Sequence, residues 1–387
     1  MNQDTRKSPR SLAGATILQV VPGLRDDPAG HAAVETAFML LQSGARAIVA
    51  GDEGTLVKDL CAFGGEWLPM INDTINPWRI RQNAHRLADL ISVERIDIVH
   101  AQSAGGAWSA LAATRRMPVF LVTSFADRLP AHWWGSAWFR RSLARGDRVI
   151  APSSCVSRAM IECYKLAPER ITVIPRAIDT NAFDPATIGA DRITGLRQAW
   201  GIVPGIRVVL VPGRLAPWNG QLSMIDAARF LAEGSDRNIV FIFAGDQYSK
   251  PRYARALRRQ TRRHAIDSLC RFVGHCSDMP AAFALADVVV VPAIKPPLSG
   301  RTVAEAQASG RPVVTTSVGM LPENVLAPPR MRDELRTGWI VQPGNADEIA
   351  RAVGAALALD VTVFAFSAQS VADAIRGVYT SLLTREG

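Results

Sequence analysis

The chain has 387 residues, too many for one compact core, and at about 150 residues per domain this length predicts two domains. Hydrophobic residues make up 48% of the sequence and charged residues 20%, a composition that excludes a disordered or fibrous protein. The 44 basic and 35 acidic residues give a net charge of +9, which favours anionic partners such as nucleotides, phosphosugars or acidic lipid without choosing among them.

The longest apolar runs, such as residues 286–293, are far shorter than the roughly 20 residues that span a bilayer, so the sequence argues against a transmembrane protein. The basic start followed by an apolar stretch superficially resembles a signal peptide. However, Gln19 interrupts that stretch and Pro22-Gly23 is typical of a strand end. Five scattered cysteines without a C-x-x-C pair indicate neither a disulfide framework nor a zinc ribbon. We therefore expect a cytoplasmic protein.

In the first half of the chain, short β-branched runs alternate with segments of helical length, the pattern of a parallel sheet covered by helices. The predicted strands are residues 16–21, 45–50, 96–100, 119–123, 148–151 and 171–174. They predict a Rossmann-like domain over residues 1–180. Turn formers such as Asp184-Pro185 and Pro204-Gly205 then predict a linker over residues 181–204.

The second half repeats the same rhythm and predicts a second Rossmann-like domain over residues 205–360. Its predicted strands are residues 207–211, 239–244, 269–273, 288–291, 312–315 and 339–341. The last helical segment, within residues 361–387, has no strand partner and is predicted to cross back to the N-terminal domain. The expected fold class is therefore α/β, with two doubly wound parallel sheets and a ligand cleft between them.

One dense motif begins where a strand ends at Pro212 and continues through Gly213 and Arg214 to Gly220. A strand, a glycine turn and a helix place backbone N–H groups and a cation at the carboxyl end of the strand, where such sheets bind phosphates. Gly245-Asp246 and Gly274-His275 end the next two predicted strands in a similar way. A single turn of this kind is more often an ordinary loop, but three at one sheet edge favour a ligand site.

The stretch from Gly300 through Glu305 to Pro312 resembles the C-terminal signature of retaining, GT-B-fold glycosyltransferases of family 4. The resemblance extends over nearly the whole chain, through these further matches: Gly213-Arg214, Gly245-Asp246, Thr337-Gly-Trp339 and Pro343-Gly344, and more loosely Ile98-Val-His100 and Ala107-Trp-Ser-Ala110. It is similar to the subgroup that assembles envelope or lipopolysaccharide sugars in bacteria.

The resemblance implies that the second domain holds a nucleoside-diphosphate sugar and that the first holds a glycan or glycolipid acceptor. Arg214 would be the catalytic residue, because it would offset the negative charge that grows on the leaving diphosphate. Glu305 would accept hydrogen bonds from ribose hydroxyls, and the N–H groups of Thr302 and Val303 would cradle phosphate. The other implied donor-binding residues are Gly213, Asn219, Gly245 and Gly300. The resemblance implies neither a metal nor a further cofactor.

Four positions depart from the family pattern. Asn219 stands where a lysine normally shares the diphosphate, and Pro297 stands where a first glutamate contacts the donor sugar. The segment Asp27–Gly30 replaces a glycine-rich turn, and Ala126 replaces a histidine near the sugar. Loss of one oxyanion donor costs about 10²- to 10³-fold in rate. Two hypotheses follow: an active hexosyltransferase, or an inactive paralogue that acts as a binding or scaffold protein.

Two further segments suggest a surface role. Residues 250–263 contain seven basic residues and no acid, with Arg252, Arg255 and Arg259 on one helical face. This face is either simply solvated or adsorbs to anionic lipid; no motif or aromatic platform supports nucleic-acid binding. Residues 131–141 combine tryptophans with arginines, which fits an interfacial helix and equally a helix buried against the first sheet.

The remaining candidates for chemistry are weaker. His264, Cys270, His275 and Cys276 follow no usual zinc spacing, so we expect no metal there. His100 marks a predicted strand end and is a secondary candidate for contact with the ligand.

Overall fold

The computed structural model describes residues 11–115, 117–125, 138–175, 178, 182–233, 238–297, 300–328, 336–358 and 380. The chain forms two compact units, and the second begins at Ile178. Each unit is an α/β layer structure built on one parallel sheet, as the sequence predicts.

Unit 1 contains a seven-stranded sheet with the order β3-β2-β1-β4-β5-β6-β7, in which every pairing is parallel. Its strands are β1 (Thr16–Gly23), β2 (Arg46–Asp52), β3 (Glu66–Pro69), β4 (Ile98–Ala101), β5 (Phe120–Ser124), β6 (Arg148–Ala151) and β7 (Ile171–Val173). Its helices are α1 (Pro28–Gln42), α2 (Val57–Ala62), α3 (Pro77–Val93), α4 (Ala104–Thr114) and α5 (Ser154–Tyr164).

Unit 2 contains a six-stranded parallel sheet with the order β10-β9-β8-β11-β12-β13. Its strands are β8 (Arg207–Pro212), β9 (Ile239–Ala244), β10 (Cys270–Gly274), β11 (Val288–Val291), β12 (Val313–Thr316) and β13 (Gly338–Val341). Its helices are α6 (Ala190–Ala199), α7 (Gln221–Glu233), α8 (Pro251–Arg263), α9 (Met279–Leu285), α10 (Arg301–Ala308) and α11 (Ala346–Ala358).

The continuous apolar runs of unit 2 are explained by burial on both faces of its sheet. Val209 and Val211 point into a core formed with α7, α8 and α11, whereas Val208 and Leu210 point into a core formed with α6, α9 and α10. Successive residues of β8 therefore serve opposite layers, as the two-residue period of a strand requires.

Strand β3 is absent from the sequence-based predictions. It has only four residues, its burial is at most intermediate, and it forms one edge of the sheet beside β2. A short, half-exposed edge strand has no run of buried apolar residues, so the pattern that reveals the other strands does not reveal this one.

The segment predicted as a linker, residues 181–204, contains helix α6 and lies within unit 2. Ile193, Leu196 and Trp200 pack against the buried core of that unit. Arg192 also forms a bidentate pair with Asp278, with nitrogen–oxygen distances of 2.9 and 2.7 Å. The turn formers in this segment thus connect short helices on the surface of unit 2. The C-terminal segment predicted to cross back, residues 361–387, lies outside the described residues apart from Thr380.

Candidate functional site

In both sheets the strand order reverses direction at one strand, β1 in unit 1 and β8 in unit 2. In each sheet, the next strands in sequence lie on one side of this strand and the later strands lie on its other side. This change of direction opens a crevice at the carboxyl end of the strand, where open parallel sheets bind ligands. The predicted donor motif begins at the carboxyl end of β8, so the topology places it at this crevice of unit 2.

Three loops meet at the crevice of unit 2 through close backbone contacts. The Gly213 amide donates to the carbonyl of Ala244 at 2.8 Å, and a Cβ added at Gly245 would lie 2.0 Å from the Gly213 carbonyl oxygen. A Cβ added at Gly220, whose φ is +72°, would lie 1.8 Å from the carbonyl oxygen of Pro292. Only glycine allows these approaches, so the glycines bring the loops after β8, β9 and β11 together.

The backbone of Arg214 is held firmly while its side chain is exposed. Its carbonyl oxygen accepts hydrogen bonds from Nδ2 of Asn219 at 2.8 Å and from Nε2 of Gln221 at 3.0 Å. Gln221 is buried, and the residue after Arg214, Leu215, donates its amide to the carbonyl of Asp246 at 3.1 Å. The loop therefore presents a guanidinium at the sheet edge from a fixed backbone.

Asn219 thus has a defined structural role at the position where the family resemblance expects a lysine. Its side-chain amide is used to hold the loop and carries no charge. Gln221, for which the sequence predicts no role, shares this function, and its Oε1 lies 3.3 Å from the hydroxyl of Tyr253 on α8. No local sequence pattern predicts this hydrogen-bond network, because its members belong to a loop and two different helices.

Asp246 organises the loop after β9. Its carboxylate accepts the amides of Tyr248 at 2.8 Å and Ser249 at 3.3 Å, and it also accepts the Ser249 hydroxyl. The Ser249 hydroxyl lowers the pKa of Asp246 most, followed by the Tyr248 amide, and the nearby charge of Arg214 contributes less. Arg214 therefore has a favourable charge interaction with the Asp246 carboxylate in the neighbouring loop of unit 2.

Glu305 is buried in helix α10, where only 9% of the residue is exposed. Nε of Arg301, one turn earlier, donates to its Oε1. Burial raises the pKa of Glu305, and the Arg301 charge opposes that shift. Glu305 is therefore not a solvated helix carboxylate, and a partner that hydrogen-bonds its oxygens would replace lost water.

The start of α10 is tightly packed. Gly300 precedes the helix, and a Cβ added there would lie 2.1 Å from Nδ2 of Asn324. The Val303 amide, one of the two predicted phosphate donors, donates to the Gly300 carbonyl at 3.2 Å, whereas Thr302 lies half-buried in the first turn. Pro297 is half-buried in the preceding loop and offers no side-chain donor or acceptor.

In unit 1 the loop after β1 has the opposite electrostatic character. Oδ1 of Asp27 accepts the amides of Ala29 at 3.0 Å and Gly30 at 2.8 Å, and so caps helix α1. These amides are the donors that would otherwise bind an anion at the helix N-terminus. Asp27 therefore fills that place with its own carboxylate, whose charge disfavours a diphosphate there. Ala126, the other departure in this half, lies outside the described residues.

Buried polar side chains line the carboxyl end of the unit 1 sheet. Gln19 on β1 donates to the carbonyl of Ala33 at 3.0 Å and accepts from Nε2 of Gln102 at 3.0 Å. His100 on β4 lies 2.6 Å from Oγ of Ser124 on β5, and burial lowers its pKa to about 3. His100 is thus a neutral interior side chain at a strand end. The polar residue Gln19 that interrupts the first apolar stretch is its neighbour across the β1–β4 pairing.

The aromatic segment of unit 1 is described only from Trp138 onward. Trp138 is 64% exposed and stacks on Trp108, with ring centroids 5.3 Å apart. Nε1 of Trp108 donates to the carbonyl of Phe139 at 2.8 Å, and the Arg145 guanidinium lies 5.9 Å from the Trp108 ring centroid. Residues 131–137 lie outside the described part, so the interfacial and buried alternatives both remain predictions.

Two observations bear on metals and membranes. Within the described ranges, no group of three or more His, Cys, Asp and Glu side chains is arranged to hold a metal ion. Among the described helices, none combines the length and apolar character needed to cross a membrane.

Two doubly wound parallel sheets, each with a ligand crevice at its switch strand, define a protein of the two-domain GT-B class. Residues 50–182 match the model of Glycosyltransferase Family 4, and residues 206–358 match the model of Glycosyl transferases group 1. The chain therefore belongs to glycosyltransferase family 4, and the family and fold predicted from the sequence are confirmed.

Among curated relatives, the chain is 29% identical over 180 residues to a D-inositol 3-phosphate glycosyltransferase of Corynebacterium aurimucosum. This match covers 46% of the chain and 42% of the relative, so the chain spans less than half of the relative's length.

Solved structures share the fold over nearly the full chain. A glycosyltransferase from Rickettsia africae has a TM-score of 0.75 at 24% identity, covering 96% of this chain and 93% of that one. Anabaena Alr3699/HepE in complex with UDP and glucose has a TM-score of 0.70 at 22% identity, covering 94% and 99%. WaaG, a glycosyltransferase involved in lipopolysaccharide biosynthesis, has a TM-score of 0.59 at 16% identity, covering 94% and 95%.

Proposed function

We propose that this chain is a retaining hexosyltransferase that moves a sugar from a nucleoside diphosphate to a glycan or glycolipid of the bacterial envelope. The observation that carries the proposal is the convergence of three glycine-held loops on an exposed Arg214 whose backbone is fixed. Fixed backbone and exposed cation are what a leaving diphosphate requires, because the charge must be in place before the bond breaks.

In this proposal Arg214 is the catalytic residue and offsets the charge that develops on the leaving diphosphate. Glu305 accepts the ribose hydroxyls, and the Thr302 amide in the first turn of α10 contributes to the phosphate contact, whereas the Val303 amide is engaged by the Gly300 carbonyl. The acceptor hydroxyl attacks from the face that the leaving group departs, so the anomeric configuration is retained and no side-chain nucleophile is needed. Since its co-substrate is a nucleotide sugar, the chain works in the cytoplasm.

The similarity to an Anabaena protein seen with UDP and glucose supports a uridine nucleotide as the first donor to test. Similarity to a lipopolysaccharide glycosyltransferase supports an envelope acceptor, whereas the curated relative's name supports a phosphorylated polyol such as inositol 3-phosphate. Both acceptor types belong in the assay.

The test is isothermal titration of UDP, GDP, ADP, CMP and dTDP into the protein and into an Arg214→Ala variant. We expect micromolar binding of one nucleoside diphosphate and a loss of about 10²-fold in the variant, since a charge-assisted contact to phosphate is removed. Lys58→Ala, an exposed cation of unit 1, is the matched control and should leave binding unchanged. Binding of none of the five by folded protein would contradict the proposal.

A specific observation favours the second candidate, an inactive paralogue that acts as a binding or scaffold protein. Asn219 is engaged in the loop, and Pro297 presents no polar group, so two side chains that the family resemblance assigns to the donor are replaced. Nucleotide binding without turnover of any UDP-sugar with lipid, glycan or inositol phosphate acceptors would support this candidate. Activity gained by an Asn219→Lys and Pro297→Glu double variant would locate the loss in these two positions.

A further inference from the structure

Helix α8 (Pro251–Arg263) carries a surface that the glycosyl-transfer chemistry does not use. Its exposed residues, apart from Pro251, are all arginines: Arg252, Arg255, Arg258, Arg259, Arg262 and Arg263. The helix contains no acidic residue. A helix whose solvent face consists of one cation type is more specialised than an ordinary solvated face, which mixes both signs of charge.

Five of these side chains form one stripe, which we call the arginine stripe: Arg252, Arg255, Arg259, Arg262 and Arg263. At about 100° per residue they fall within about 100° of arc, and they extend about 16 Å along the helix. The opposite side of the helix, with Tyr253, Ala254 and Leu257, is buried in the core of unit 2. The stripe therefore points away from the domain.

Neighbouring carboxylates do not neutralise the stripe. Within the described ranges, none of its five guanidinium groups forms an ion pair or a hydrogen bond to a side chain. Asp226 on the adjacent helix α7 is engaged by Gln260 at 2.7 Å and by His264 at 2.8 Å. Arg258, which lies beside the stripe, has its own structural role: it donates to Gln247 at 3.0 Å and lies 4.8 Å from the Phe272 ring centroid.

We propose that the arginine stripe adsorbs unit 2 to a lipid bilayer rich in anionic headgroups. The charge of the stripe complements such a surface, and guanidinium groups bind phosphate oxygens in a bidentate manner. A convex helix on a domain surface meets a flat array of phosphates without needing a groove. The apolar side of α8 is committed to the core, so binding is electrostatic and does not insert the helix.

A nucleic acid, which is anionic like the lipid surface, is the less favoured partner of the arginine stripe. Proteins that hold single strands combine cations with aromatic platforms, and α8 exposes no aromatic side chain. In duplex DNA, Asn or Gln side chains read adenine, and the only amide of this helix, Gln260, pairs with Asp226. Arginine can itself read guanine, so a DNA duplex is included in the test below.

The test is co-sedimentation of the full chain with vesicles of phosphatidylcholine alone and of phosphatidylcholine with about 30 mol% phosphatidylglycerol, whose anionic headgroups attract basic segments. We expect binding only to the anionic vesicles at low salt, and its loss near 0.5 M NaCl, where the Debye length falls to a few Å. A triple variant, Arg255→Gln, Arg259→Gln and Arg262→Gln, should reduce the vesicle partition coefficient by about 100-fold, since each surface cation contributes about fivefold.

The matched control is Lys58→Gln, Arg115→Gln and Arg158→Gln, which removes the same charge from three exposed positions of unit 1. It should retain vesicle binding within a few fold. Circular dichroism and urea unfolding establish that both triple variants are folded, and the outcome does not depend on whether the chain binds a nucleotide or transfers a sugar.

Three results would overturn the proposal. Equal binding to neutral and anionic vesicles would exclude an electrostatic contact, and equal losses in the two triple variants would show that net charge alone is responsible. Stronger retention by a 20-base-pair DNA duplex than by anionic vesicles, at equal phosphate and 150 mM salt, would assign the stripe to nucleic acid instead.

Discussion

The loops that follow the two switch strands, β1 in unit 1 and β8 in unit 2, have the same topology and opposite electrostatics. After β1, the carboxylate of Asp27 accepts the first amides of helix α1. After β8, the loop exposes the guanidinium of Arg214 and carries no carboxylate before helix α7. A doubly wound sheet fixes where a ligand can bind, whereas a few loop residues decide which charge it can have.

The two crevices also differ in how their loops are held. In unit 2, carbonyl oxygens of neighbouring loops lie so close to the glycine Cα atoms that a Cβ atom on these residues would overlap them. In unit 1, buried polar side chains such as Gln19 and His100 link strand ends. The comparison shows that glycine-allowed backbone contacts hold the loops of unit 2, whereas hydrogen bonds between buried side chains and their neighbours hold the strand ends of unit 1.

The largest expected effect tests the glycine-held loops. Gly220→Ala should destabilise unit 2 by about 2–3 kcal/mol, because the new Cβ would overlap the Pro292 carbonyl and the residue has a positive φ of +72°. Urea unfolding measures the change. Gly195→Ala on α6 is the control: no atom lies within 4 Å of its added Cβ, so it should stabilise by about 0.5–1 kcal/mol. Similar effects at both sites would contradict the close approach.

The next effect tests the neutral interior of unit 1. Burial places the folded pKa of His100 at about 3, below its ordinary value of 6.5, so the unfolded chain binds the proton first. The stabilisation is therefore present above pH 6.5 and is lost as pH falls, by about 2 kcal/mol at pH 5. His100→Asn should lack this component in urea titrations at pH 7 and pH 5. Parallel pH profiles for the two proteins would contradict a buried neutral imidazole.

A smaller effect tests the carboxylate cap of unit 1. Asp27→Ala should cost about 1 kcal/mol, because two amides of α1 lose their acceptor, whereas Asp27→Asn should cost only a few tenths. Thermal unfolding measures both. The control is Asp26→Ala, which removes an exposed carboxylate 2.8 Å from His31 and should change stability by less than about 0.5 kcal/mol. An equal cost for Asp26 and Asp27 would argue against the cap.

The smallest effect concerns the buried carboxylate of unit 2. Since burial raises the folded pKa of Glu305 above its ordinary value of 4.5, the folded chain holds this proton more tightly than the unfolded chain. Its contribution to the free energy of unfolding therefore falls as pH rises above about 4.5. Glu305→Gln should remove this slope between pH 4.5 and 7, opposite in sign to the His100 effect. An unchanged slope in the variant would show that Glu305 titrates as it does in the unfolded chain.

The local pattern of the sequence determined the fold class, the two-domain order and all strands except β3. The reason is that strands buried on both faces require continuous apolar runs, and β8 and β9 have them. The glycines that follow β8 and β9 were likewise singled out from sequence, and the structure shows that they allow the close approach of neighbouring loops, whereas their donor-binding role stays a prediction. Helix α6 was not found from sequence, and its segment was interpreted as a linker. The residues of the unit 2 core that it contacts lie far from it in the chain.

Only the tertiary structure decided what the unusual residues do. It showed that Asn219 and Gln221 donate hydrogen bonds to the carbonyl of Arg214. It also showed that the carboxylate of Asp27 caps the N-terminus of α1 and that Arg301 pairs with a buried Glu305. Burial and hydrogen-bond partners depend on residues brought together by folding, so they are not encoded in any local window of sequence. The same holds for the arginine stripe: sequence gives its charge, and the buried side of α8 gives its direction.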